Sequence, residues 1–303
     1  MGESTPKYSR PEILSRRPRR TLVGTLFIVA TPIGNLGDMT FRAVETLRNV
    51  SLIAAEDTRH SSILLREFGI ATHMISYHQH NLASREGRIL RELETGDVAL
   101  ISDAGTPGIA DPGVEIAALA FEAGHTVVPV PGASALTAAV SASGLVPGPF
   151  LFLGFLPRSG EERRIAIGKA AAAGVPFVVY EAPTRLLATL ADIQAATGNR
   201  RAMVGRELTK LHEELRTGTL EVLRVHFGAA PPRGEFVIVV GGSADPTNGV
   251  EEGDVETIIR QLLADGAKPS RAARDAAAIS GISGADAYDL VRRITREGTG
   301  APE

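Results

Sequence analysis

The sequence predicts an α/β protein of two domains followed by a small all-helical module. Three observations predict it. From Thr25 to Gly242 short apolar runs alternate with helix-like segments, the pattern of strands joined by crossover helices. A stretch holding two prolines and two glycines, 144–150, interrupts that alternation midway. From residue 254 onward the apolar spacing is helical. At 303 residues and 31.9 kDa the chain suits two compact domains with additions. Its 44% hydrophobic content excludes disorder over most of that length.

Residues 1–22 are polar and basic, with Arg16, Arg17, Arg19 and Arg20 just before the first apolar run. They read as a disordered tail, with a phosphate-binding arm as the alternative. The following run is strand-length and broken by Pro32 and Gly34, so it lacks the apolar core of a secretory signal. The first domain, 23–143, opens with the strand LFIVAT (26–31), then a helix from a Thr40 cap to Arg48. SLIAA (51–55) is the next strand, and a helix from Ser61 ends at Gly69. A strand from Met74 to Tyr77, a polar helix from Ser84 to Glu94 and the strand DVALIS (97–102) follow. Asp111-Pro112 opens a helix with proline at its first position, closed by Gly124. TVVPV (126–130) and the small-residue helix ASALTAAVSAS complete the domain.

The second domain, 150–242, places strands at LFLGF, FVVYEA (177–182), AMVGREL (202–208) and GEFVIVVGG (234–242). Its helices fall at 160–173 and 184–196. SADPTNGVEEGD (243–254) reads as a linker. The module at 254–296 has three short helices punctuated by glycine, a helix-turn-helix-like pattern. Over 251–303 acids outnumber bases by ten to seven, which argues against a DNA-reading role.

Cysteine is absent, which leaves no disulfide framework, thiolate metal site or cysteine nucleophile. A net charge of −3 argues against positive field over the whole surface, while a local basic groove stays open. No apolar run approaches the roughly 20 residues that cross a bilayer, so no membrane partner is expected.

The richest loop, SDAGTPGIADPG (102–113), leaves the C-terminal end of a strand, where open α/β sheets bind ligands. Its glycines allow close backbone approach and Asp103 supplies a carboxylate; a rigid turn capped by Asp103 is the alternative. A second loop, Thr31 to Asp38, follows the first strand. Neither G-x-G-x-x-G nor G-x-x-x-x-G-K-[ST] occurs, which removes the main support for dinucleotide and P-loop sites. A third loop, Pro129 to Leu136, has the outline of a nucleophile elbow, with Ser134 as nucleophile and Asp192 and His212 or His226 as partners. Leu136 stands where that turn requires glycine, so Ser134 fits better as a donor to a bound ligand.

Charge also clusters at other strand ends. In EDTRH (56–60), Asp57 and Arg59 either pair with each other or present a guanidinium to a phosphate. YEAPTR (180–185) and RELTK (206–210) end two strands of the second domain in the same way. His73, His78 and His80 lie near one another without a carboxylate ligand at good spacing, so no metal is expected.

Taken in order, ATPIGNLGDMTFRA, AEDTRHS, ISDAGTPGIADPG, VPGASALTAA, YEAPTRL and RELTK resemble the ribosomal RNA small subunit methyltransferase I family of the tetrapyrrole-methylase superfamily. The resemblance covers 24–242 and extends into the helical module. It implies a two-domain tetrapyrrole-methylase-like fold in a cytoplasmic homodimer, with S-adenosylmethionine in the cleft between the domains. It also implies methyl transfer to the ribose 2′-hydroxyl of a cytidine in 16S rRNA of the small ribosomal subunit. Carried over by residue, Asp103, Ala104, Gly105, Thr106, Ser134, Ala135 and Glu181 fall on cofactor-holding positions. Pro32 falls on the substrate-side wall, and Arg59 and Arg185 are candidates for substrate phosphate.

Methyl transfer from a sulfonium is an in-line displacement, and alignment alone supplies about 7–11 kcal/mol in ideal cases. A ribose hydroxyl also needs a base or a cation for its developing alkoxide. Lys210, Glu181, Arg206 and Asp57 are the candidates, with roles unassigned. Two alternatives stay open: a non-catalytic RNA- or ribosome-binding protein that keeps the cofactor fold, and methylation of a small tetrapyrrole.

Overall fold

The computed structural model describes residues 24–78, 82–243, 252–264, 266–280 and 284–298. The basic tail, His80 and most of the 243–254 stretch lie outside the described residues. Contacts divide the chain into two units, the first ending at Ala135 and the second starting at Leu136.

The first unit is built on five parallel strands: β1 (Thr25–Val29), β2 (Leu52–Ala55), β3 (Met74–Ser76), β4 (Val98–Ile101) and β5 (Thr126–Val130). Their order is β3-β2-β4-β1-β5. The helices α1 (Phe41–Asn49), α2 (Thr58–Glu67), α3 (Leu82–Leu93) and α4 (Val114–Glu122) connect successive strands. β2 and β4 are buried at every residue, which is why they read as unbroken apolar runs rather than as alternation. Alternate residues still serve opposite faces. Leu52, Ala54, Val98 and Leu100 pack in one core with Ile89 and Ile116, while Ile53, Ala55, Ala99 and Ile101 pack in another with Leu47 and Leu65.

Thr40 caps α1 by accepting the Ala43 N–H at 3.1 Å, as its position before the apolar spacing predicts. Such a cap contributes about 1 kcal/mol. The expected proline start of α4 is not observed. The helix begins at Val114 with Gly113 as its N-cap, at φ 145, so Asp111 and Pro112 belong to the preceding loop.

The second unit carries a mixed sheet of β6 (Leu151–Phe155), β7 (Phe177–Glu181), β8 (Arg201–Arg206), β9 (Glu214–Thr219) and β10 (Phe236–Val240). The order is β6-β7-β10-β8-β9; β10 runs antiparallel to both neighbours, and β9 antiparallel to β8. Helices α5 (Ala135–Ser143), α6 (Gly160–Ala172), α7 (Leu186–Thr197) and α8 (Leu220–Gly228) accompany it. Buried residues of α6, α7 and α8, among them Ile167, Leu190, Ile193 and Leu223, share one core with Phe177, Val204 and Ile238.

The contact division places nearly all of α5 in this second unit, although the Pro/Gly stretch that follows the helix suggested a later boundary. A physical tie explains it: the Leu136 N–H donates to the Tyr180 hydroxyl on β7 at 2.8 Å. β9 and α8 were not anticipated. ELRTGT is a polar edge strand paired only with β8, so it lacks the apolar signature of its neighbours.

The C-terminal helices α9 (Glu252–Ala264), α10 (Pro269–Ser280) and α11 (Gly284–Gly298) have their own core. It includes Val255, Ile259, Ala272, Ala276, Leu290, Val291 and Ile294. Among the described residues no helix is long and apolar enough to cross a membrane.

Gly24 enters β1 so close to Gly96 that a Cβ would lie 1.9 Å from the Gly96 carbonyl oxygen. Backbone on both sides leaves no side chain to give way. Gly24→Ala is therefore expected to lower stability by about 1–3 kcal/mol, read as a fall in the urea midpoint.

Candidate functional site

In the first unit the loops after β1, β2, β4 and β5 are tied together at the carboxyl ends of the strands. Thr31 and Gly105 exchange backbone hydrogen bonds of 2.8 and 3.0 Å, extending β1 into the loop after β4. The buried Thr31 hydroxyl also donates to the Ser102 carbonyl at 3.2 Å. Gly105 sits at φ 80, and a Cβ there would press on Ile33 at 3.3 Å, so this bridge needs glycine. The Asp57 N–H donates to Asp103 Oδ1 at 3.0 Å, linking the β2 and β4 loops. Thr106 Oγ1 donates to the Ala133 carbonyl at 3.3 Å, linking the β4 and β5 loops.

Asp103 to Thr106 thus form one braced turn, with Ala104 exposed at its tip and Ser134 and Ala135 half-buried beyond Ala133. Pro32 is buried beside Thr31. Asp57 and Arg59 resolve to the pair. The guanidinium grips the carboxylate through Nε at 3.1 Å and Nη2 at 2.7 Å, while Asp57 also caps α2 through the Arg59 N–H. These hydrogen bonds hold Asp57 far below the usual carboxylate range, so it is no proton acceptor at neutral pH.

Two carboxyls not singled out from the sequence as site residues stand out here. Burial pushes Glu56 upward against the opposing hydrogen bond from the Asp103 backbone. Asp111 is pushed up to about 7, first by burial, then by the charge of Glu56, with Ser102 opposing and Asp103 adding. The signal was present in the ADPG sequence but was read as a helix start. Among the described residues none of Glu56, Asp103 and Asp111 has a salt bridge, and no cluster suits a metal ion.

In the second unit the strand-end charges are largely committed to one another. Glu181 is 1% exposed, and its oxygens accept from Arg185 Nε at 2.6 Å, Arg185 Nη2 at 3.0 Å, the Ala182 N–H at 2.9 Å and the Thr189 hydroxyl. Arg185 also donates to the Leu156 carbonyl at 2.8 Å. The two expected site residues therefore brace the start of α7 instead of standing open as base and phosphate anchor. Asp192, weighed as a triad member, pairs with Arg163 at 2.6 Å.

Arg206 donates from Nε to the Arg233 carbonyl at 2.8 Å and lies 3.7 Å from Glu214. Lys210 Nζ sits 2.9 Å from both Glu207 and Glu235. Burial works against its ammonium, but the hydrogen bonds it donates to these two carboxylates outweigh it and raise its pKa. Lys210 is a cation at neutral pH, not a base. The turn that presents it is strained: Glu207 and Thr209, neither a glycine, hold φ of 49 and 66. Each such residue costs on the order of 1–3 kcal/mol, a feature concentrated at functional sites.

Braced loops at the ends of parallel strands, followed by a mixed α/β unit, define a class. The family model for tetrapyrrole (corrin/porphyrin) methylases matches residues 25–224, which makes the chain a methylase of that type. Among solved structures it is similar to a diphthine synthase, with TM-score 0.55 and 15% identity, covering 72% of this chain and 89% of that one. A cobalt precorrin-4 methyltransferase gives TM-score 0.55 and 17% identity, covering 72% and 94%. At these identities the likeness concerns the fold.

Curated relatives are much nearer in sequence. The ribosomal RNA small subunit methyltransferase I of Synechocystis sp. is 45% identical over 91% of this chain and 100% of that protein. Those of Pseudomonas aeruginosa and Bacillus subtilis are 44% and 41% identical, over 86% and 88% of this chain and 93% and 94% of theirs. Within the methylases, the chain belongs to this ribosomal RNA small subunit methyltransferase I family.

The raised Asp111 carboxyl has a consequence for stability. A carboxyl held above its unfolded value of 3.8 binds its proton more tightly when folded, so it costs stability as pH rises from there to about 7. Asp111→Asn is expected to gain about 1–2 kcal/mol at pH 8 after solvent screening, and nothing near pH 4. Urea unfolding at the two pH values measures the difference; equal gains at both would remove the titration from the account.

Proposed function

We propose that the protein transfers a methyl group from S-adenosylmethionine to the ribose 2′-hydroxyl of a cytidine in 16S rRNA of the small ribosomal subunit. The observation that carries this reading is the braced Asp103–Thr106 turn in a chain 40–45% identical to enzymes named for that subunit's RNA. Asp103, Ala104, Gly105 and Thr106, with Ser134 and Ala135, would hold the cofactor. The residues suit it. Gly105 lets backbone come close, and Glu56, Asp103 and Asp111 form an acidic surround without salt bridges, suited to a ligand with sulfonium and ammonium charges. When bound, S-adenosylmethionine supplies an electrophilic methyl on a positively charged sulfur.

The chain's own residues divide the remaining work. Asp103, fixed by the Asp57 N–H, accepts hydrogen bonds from the ligand. Lys210, kept protonated by Glu207 and Glu235, offers N–H to the 2′ oxygen as its proton passes to solvent and the carbon–sulfur bond gives way to the new carbon–oxygen bond, or to a neighbouring phosphate. Glu181 and Arg185 fix the chain at 182–184 at the end of β7. In this reading the enzyme is a cytoplasmic homodimer.

Labelled methyl transfer to small subunits from a strain lacking the modification tests the reading. Wild type is expected to label 16S rRNA; transfer only to a porphyrin precursor would assign it to tetrapyrrole chemistry. Asp103→Ala is expected to weaken S-adenosylmethionine binding by about 10- to 100-fold in calorimetry, with the fold kept and the melting temperature lowered by only a few degrees, about 2–4 °C, for the lost Asp57 bond. Lys210→Met is expected to lower kcat by about 100-fold with cofactor affinity unchanged. A loss of cofactor affinity instead would place Lys210 on the cofactor.

A further inference from the structure

The C-terminal module carries a basic face that helix stability does not explain. α10 buries Ala272, Ala273 and Ala276 against its neighbours and turns Ser270, Arg271 and Arg274 to solvent, with Lys268 exposed just before it. No acid occurs from Gly266 to Arg274. Lys268 and Arg271 therefore lie just before and within the first turn of the helix, where its dipole disfavours positive charge by about 0.3–1 kcal/mol each, and Arg274 follows one turn later. Lys268 even occupies the capping position, its carbonyl accepting the Arg271 and Ala272 N–H groups at 2.8 and 2.9 Å, and its side chain can accept nothing there.

Local compensation is slight. Arg271 lies 3.4 Å from Asp275, an exposed pair worth little. Lys268 and Arg274 have no ion-pair partner among the described residues. Two other exposed arginines of the module meet an acid: Glu256 lies 2.6 Å from Arg293 and 4.0 Å from Arg260. A segment that sets two cations against the helix-end preference, with one exposed ion pair in return, marks a surface kept for a partner.

We propose that the outward face of α10, through Lys268, Arg271 and Arg274, docks the sugar-phosphate backbone of ribosomal RNA. The proposal rests on the rRNA reading above and adds a second contact to it. The module lies beyond residues 25–224, which match the methylase family. Docking there would serve substrate capture rather than the chemical step. RNA is the partner of choice because the face offers three cations and one hydroxyl with a single proline, Pro269, exposed among them, a composition closer to phosphate contact than to protein contact.

The test uses the full-length Lys268→Ala/Arg271→Ala/Arg274→Ala variant. Alanine is the best helix former, so the module stays folded, and a thermal melt checks it. Methyl transfer to unmodified small subunits, and co-sedimentation with them, are read from low to physiological salt. The expected result is a rise in KM for subunits of at least about tenfold, with kcat and cofactor affinity retained. The log–log salt slope of binding should also shrink by about 2–3, roughly one per lost phosphate contact. Unchanged KM and slope in an active enzyme would overturn this proposal alone. A raised KM with an unchanged slope would assign the face to a ribosomal protein and overturn the RNA assignment. If wild type binds subunits but transfers no methyl to them, the function above fails, while the slope difference still decides the docking face.

Discussion

The reciprocal backbone pair between Thr31 and Gly105 is the constraint on which the first unit's loops depend. Parallel strands end together, and the loops leaving them carry backbone groups that the sheet no longer satisfies. By exchanging two hydrogen bonds beyond the strand ends, Thr31 and Gly105 satisfy four of these groups at once. The pair also stops the loops after β1 and β4 from swinging apart. The Asp57–Asp103 and Thr106–Ala133 bonds then extend the same bracing to the neighbouring loops. The result is a braced rim on which Ala104 is exposed and Asp103 half-buried.

The second unit reaches rigidity by another means, burying and pairing charge. Glu181 gives up solvent for four donors, and Arg185 for two acceptors. Taking either partner away would leave a buried charge alone, a loss of about 3–5 kcal/mol. Lys210 is held more openly, by two carboxylates on a turn with left-handed residues at Glu207 and Thr209. The two arrangements differ in what they leave available. Glu181 has no free acceptor, whereas the Lys210 ammonium keeps one of its three N–H donors.

Most of the architecture was legible from the residues. Thr40 announced its helix, and the buried runs LIAA and VALI announced central strands. Less legible were elements whose burial is one-sided or slight, such as β9, and the Asp111-Pro112 dipeptide, where a proline preference competed with the glycine that starts α4. The site divides along a similar line. Asp103 and the glycines around it were readable because strand-end loops carry local signals. Partnerships were not. Glu235 meets Lys210 only because β10 lies against β8, and Asp111 acquires its unusual proton affinity only from burial beside Glu56. Such pairings are products of tertiary register, which no local pattern encodes.

The position of β10 bears on how the chain emerges during synthesis. The first sheet uses strands ending at Val130 and is complete once that residue has been made. The second cannot close so early, because its middle strand, Phe236–Val240, is the last of its five to be translated. Until then the facing edges of β7 and β8 lack the partner between them, and unpaired edges invite foreign strands. A nascent chain stalled short of Phe236 would therefore carry a finished first sheet beside a second one still missing its keystone.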